Sequence, residues 1–206
     1  MRSTQPGGPA AWLRANLFSG LYPTRNDSAL RRAHRAHVWM FELFIVAWTV
    51  SLAWSWADYA LRNTVVVLPL GMARLIPVEP LFAHPWPYVL AAAVTAACAA
   101  GLLGRWWNRD RDSSSAWMRG LGAVGRWGYA VALGGLHLLY VVRFSQGEIP
   151  HSANLVGIGL AGLALGSAAF GAGERRDRFV VGFVLFFTGL GYTSAAVSKL
   201  VGTGLG

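Results

Sequence analysis

Seven side chains stand where apolar sequence makes a charge or a ligating group expensive: Glu42, Asp58, His84, Arg126, His137, His151 and Lys199. Ionisable groups inside a bilayer are rare and mark ion paths, ligand sites or internal pairs. At 1.5 Å per residue, Glu42 lies roughly 6 Å into the first apolar stretch and Arg126 roughly 7 Å into the third. Their common depth predicts a structural ion pair, Glu42 with Arg126, with a proton-handling carboxylate as the alternative. His137 lies roughly 24 Å along the third stretch and Lys199 roughly 30 Å along the last. With His151, Asp58 and His84 they fall at the opposite face. There a lysine desolvated at a boundary could lend a proton or a positive charge to a ligand oxygen. Lys199 is the only lysine in the chain, and a terminal lysine also commonly snorkels to the interface. His151 with Ser152 could equally cap the following helix.

The elements that carry these residues follow from composition. The chain has 206 residues, 54% hydrophobic and only 13% charged. Soluble domains carry about 25% charged residues. Mean hydropathy is +0.41, and the apolar residues gather into runs long enough to cross a bilayer. The expected fold is all-α, a polytopic transmembrane bundle of about five spans at 38–56, 86–103, 121–142, 153–170 and 179–200. Residues 1–36 form a basic tail with a short interfacial helix over 11–21, and 37–206 form the transmembrane domain. The segment 64–78 is apolar but short and holds Pro69, Arg74 and Pro77, so it reads as interfacial or re-entrant.

The net charge of +9 does not point to nucleic acid, because the arginines sit in short segments between apolar runs. Fourteen of the eighteen Lys and Arg residues fall in alternate segments: the N-terminal tail, 105–126 and 173–178. The positive-inside rule then puts the N-terminus in the cytoplasm and the C-terminus outside. A multi-pass protein of the cell membrane, a bacterial inner membrane, is the expected setting. Cys98 stands alone in an Ala-rich run and reads as a small buried hydrophobe. No metal-ligand spacing and no phosphate-cradling loop is present, so no metal is expected. Glycines at 120, 122, 125 and 128, and Gly162-x-x-x-Gly166, predict close helix crossings within the chain, with a partner subunit as the lesser alternative.

Three stretches carry a family resemblance: LFSGLYPTRNDSALRRAHR (17–35), GEIPHSANLVGIGLAGLAL (147–165) and LGYTSAAVSKLVGTG (190–204). Together they resemble the DoxX-like and horizontally transferred transmembrane domain proteins, relatives of the membrane part of vitamin-K-dependent gamma-carboxylase. The resemblance implies quinone chemistry, with Lys199 in the position of the characteristic Ser-Lys-Leu and His151 in the His-Ser motif. The family pattern continues beyond the lysine with a Trp and another helix, whereas this sequence ends at Gly206. On that reading Lys199 and His151 are the catalytic candidates. His137, Asn154, Tyr192 and Ser198 complete an outward-opening polar pocket for a quinone or another small amphipathic ligand. The alternative is a non-catalytic accessory subunit of a larger redox or pigment-protein complex, with His137 as a helix-borne ligand to haem or a chlorophyll-type pigment.

Overall fold

The computed structural model describes residues 28–62, 74–75, 79–107, 116–147 and 153–204. The interfacial helix expected over 11–21, most of 64–78 and His151 lie outside the described residues. Among the described residues five long helices make up the fold: α1 (Ser28–Arg62), α2 (Trp86–Trp107), α3 (Ala116–Ser145), α4 (Ala153–Phe170) and α5 (Glu174–Gly204). A 3-10 turn, Glu79–Phe82, leads into α2. Each of the five helices is long and apolar enough to cross a membrane. The chain is therefore an all-α bundle of about five spans, as expected. Four of the helices run past the apolar limits read from the sequence. α1 starts ten residues before Val38, and α5 five residues before Phe179.

Local sequence explains the boundaries. α2 is alanine-rich, the best helix former, and holds Pro87 in its first turn, where the missing N–H is no loss. α3 stops at Gly147 (φ 87°) and α4 at Gly171 (φ 66°), both in the left-handed region that a side chain disfavours. The Gly171 N–H closes the last turn of α4 onto the Ser167 carbonyl at 2.9 Å. Glu174 and Asp177 then open α5, where carboxylates favour the helix N-terminus.

In a membrane, apolar burial gives little drive for helix association, so backbone approach matters more. α2 and α3 cross with glycine against glycine. A Cβ built on Gly125 would stand 2.3 Å from the Gly104 Cα, and one on Gly128 2.5 Å from the Ala97 carbonyl oxygen. On α4, Gly159 receives Ile45 of α1, while Gly162 and Gly166 receive Phe183 and Val180 of α5. The predicted crossings are thus contacts within the chain at Gly125, Gly128, Gly162 and Gly166, whereas a Cβ on Gly120 would meet nothing within 4 Å. Cys98 is buried in the core they enclose, beside Ala97 and Tyr129.

α5 is the exception to this packing. Its 31 residues span about 46 Å while α4, its main partner, spans only about 27 Å. Only 11% of its apolar stretch is buried inside the bundle, and residues 189–202 are exposed throughout.

Candidate functional site

Two features sit at opposite ends of the bundle. The first is a buried polar network to which every helix contributes one side chain or more. Glu42 of α1 is fully buried. Its Oε1 accepts from the Tyr129 hydroxyl of α3 at 2.6 Å and from Arg176 of α5. Its Oε2 accepts from Arg105 of α2 and from Arg176 Nη1 at 3.2 Å. Arg105 also donates to Asp177 of α5 at 3.1 Å, and Arg176 to the same carboxylate at 3.3 Å. Arg176 Nε donates to the Ser167 hydroxyl of α4 at 2.9 Å. The Arg105 guanidinium lies 5.5 Å from the Trp39 ring, and that of Arg176 5.8 Å from the Tyr129 ring.

The network is electrically closed, with two carboxylates against two guanidiniums. Both oxygens of Glu42 are bonded to charged or hydroxyl donors. With four such bonds the carboxylate has no free lone pair aimed at a substrate. This geometry supports an interhelical staple over the proton-handling alternative. It also corrects the expected partner. Arg126 makes no ion pair among the described residues; it is exposed, and its Nη2 lies 3.2 Å from the position a Cβ on Gly171 would take. The reason is angular. The buried positions of α3 include Gly122, Gly125, Tyr129, Ala132 and Leu136, and residue 126 lies off that stripe. The sequence reading missed Arg105, Tyr129, Ser167, Arg176 and Asp177.

The second feature is a groove of about 520 Å³ between α1, α3, α4 and α5 at the other end. Trp56, Tyr140, Phe183 and Phe187 supply aromatic walls, and Ile158 and Leu136 aliphatic ones. His137 and Asn154 bring polar groups to it. The His137 ring stacks on Tyr140, with centroids 6.1 Å apart and planes 17° off parallel. Both His137 and Asn154 are exposed, as a group open to a ligand must be.

The structure gathers only part of the expected pocket. His137 and Asn154 line the groove together. Tyr192, Ser198 and Lys199 do not; they lie on the exposed far half of α5. Lys199 is twelve residues beyond Phe187, about 18 Å along the helix. Asp58 is held by Arg62 at 2.8 Å and accepts from the Tyr88 hydroxyl at 3.3 Å. His84 meets the Tyr88 ring edge-on at 6.0 Å. Among the described residues no three His, Cys, Asp or Glu side chains are grouped to hold a metal ion.

No protein-family model, no curated protein and no solved structure matches the chain. The five apolar helices identify it as consistent with a multi-pass integral membrane protein, and the groove's geometry carries the functional reading from there.

Proposed function

We propose that the chain binds a small, ring-bearing amphipathic molecule of quinone type in the groove between α1, α3, α4 and α5. One observation carries this reading: a groove of about 520 Å³ walled by four aromatic side chains holds His137 and Asn154 as polar groups. Ligand pockets of about 300–1,000 Å³ with few, placed polar groups are the usual form for such molecules. Aromatic faces would stack on the ring, and the Asn154 amide or a His137 N–H would donate to a ring oxygen. His151, three residues before Asn154 in sequence, is the second donor in this proposal. Lys199 has no part in holding the ring. The resemblance to DoxX-like proteins agrees with a quinone but is not needed for the argument.

Gly157 gives the test. It lines the groove, and a Cβ there would meet nothing within 4 Å. Gly157→Leu should fold normally and fill the groove. A soluble quinone such as menadione should quench the intrinsic tryptophan fluorescence of the purified wild type saturably. That saturable part should weaken about tenfold or more in Gly157→Leu and in Asn154→Ala. Unchanged saturation in Gly157→Leu would remove the groove from consideration.

The accessory-subunit reading rests on a different observation. The face of α5 bearing Leu190, Val197 and Val201 is exposed and apolar over its last turns. In this reading it meets another membrane subunit. Stoichiometric co-purification of a membrane protein, lost on Val197→Trp, would favour it.

A further inference from the structure

Beside the buried network lies a small cleft walled largely by glycines, with three arginines and Ser167 as its polar side chains. It is lined by Gly104, Gly125 and Gly171 together with Arg105, Arg126 and Arg176. Three guanidiniums here face two carboxylates, Glu42 and Asp177, which leaves one net positive charge. That charge is Arg126, exposed and without an ion pair among the described residues. Arg105 and Arg176 also keep spare N–H groups. A guanidinium has five; Arg105 uses two, and Arg176 three nitrogens in four bonds. The enclosed part of the cleft is about 10 Å³, room for one water-sized group such as a single oxyanion oxygen. The glycines are what keep it open: a Cβ on Gly171 would stand 3.2 Å from the Arg126 Nη2.

The cleft lies at the ends of the apolar spans. Arg105 ends its span, Arg126 is the fifth residue of its own, and Gly171 and Ala172 form the turn after α4. Basic pockets between transmembrane helices at this depth suit anionic headgroups.

We infer that the Arg105–Arg126–Arg176 cleft is a binding site for a singly charged phosphate group, with one oxygen in the cleft beside Arg105 and Arg176 and the others held by Arg126. The single net positive charge matches a phosphodiester. The same chemistry is offered by an anionic phospholipid headgroup and by free phosphate. The site is independent of the groove at the other end of the bundle.

The test uses the full chain purified in detergent with mixed phosphatidylglycerol and phosphatidylcholine, with retained lipid counted by native mass spectrometry. The wild type should retain one phosphatidylglycerol in preference to phosphatidylcholine. Arg126→Gln should weaken that retention about fivefold or more. Ala172→Asp, which puts a carboxylate in the cleft, should do the same. Arg175→Gln, an exposed arginine outside the cleft, should leave it unchanged. A parallel arm adds inorganic phosphate to lipid-depleted protein and follows thermal unfolding. Stabilisation of the wild type but not of Arg126→Gln, without any phosphatidylglycerol preference, upholds the site and assigns it to free phosphate. Equal retention in wild type and Arg126→Gln, with no phosphate stabilisation that Arg126→Gln abolishes, overturns the inference, and so does an equal loss in Arg175→Gln.

Discussion

Replacing Glu42 by Gln keeps its shape and removes its charge, and the structure sets the size of the result. In the native network two guanidiniums face two carboxylates, and Glu42 is 0% exposed. Glutamine leaves Arg105 and Arg176 sharing Asp177 alone, with one positive charge uncompensated in the bundle. Removing one partner of a buried pair costs about 3–5 kcal/mol. An independent count agrees. Glutamine keeps one acceptor oxygen and turns its NH2 toward guanidinium donors, so about two of the four bonds to Glu42 are lost. Hydrogen bonds to charged groups are worth about 1.5–3 kcal/mol each, so the loss is on the order of 3 kcal/mol. Reversible unfolding in mixed micelles by sodium dodecyl sulfate, followed by circular dichroism, reads this directly. A Glu42→Gln variant within about 1 kcal/mol of wild type would refute the reasoning, because it would mean that the charges are screened and not buried. A paired variant separates charge balance from simple loss of contact. Glu42→Leu with Arg176→Met deletes one cation and one anion and leaves Arg105 with Asp177. It should be more stable than Glu42→Gln alone, as replacing a whole buried pair often is.

Tyr129→Phe removes only the hydroxyl donated to Glu42 and should cost about 1.5–3 kcal/mol in the same unfolding assay. Gly125→Ala and Gly134→Ala should move in opposite directions. The first drives a Cβ to 2.3 Å from the Gly104 Cα and must separate α2 from α3, whereas the second meets nothing within 4 Å and should gain up to about 1 kcal/mol of helix propensity. Lys199→Met, on the exposed stretch of α5, should leave quinone quenching unchanged if the groove reading holds.

Span number was legible because it rests on one-dimensional quantities, apolar length and the alternation of arginine-rich segments. The glycine crossings were legible for a similar reason, since small residues at helical spacing have few uses in a membrane other than close approach. The ion pair was half legible. Glu42 demanded a cation at its own end of the bundle, and three arginines on spans or at their edges were available there. Depth selected Arg126, but direction around the helix decides contact, and Gly125 held the clue. If Gly125 faces α2, residue 126 turns about 100° away while Tyr129, four residues on, turns inward. Arg105, Arg176 and Asp177 were hidden by a boundary rule: charged runs read as loops end the spans. Compensated charges let a helix continue, and α2 and α5 do continue through them. The polar pocket was over-read on the same axis. His137 and Lys199 share an end by depth, but α5 outruns α4, and among the described residues no helix walls its last turns.

The glycines of α4 separate the structural end of the molecule from the end offered as a binding site. Gly159 is filled by Ile45, Gly162 by Phe183 and Gly166 by Val180, so each is needed for a contact that the fold makes. Gly157, two residues before Gly159, meets nothing. A glycine in a helix interior costs about 1 kcal/mol relative to alanine, and packing does not recover that at this position. At the network end the five helices are joined through six side chains and can hardly separate; at the other end α4 presents an open glycine to four aromatic walls. A rigid end that fixes the helix spacing, and an open end whose smallest residue faces empty space, are what a preorganised groove for a flat ring requires.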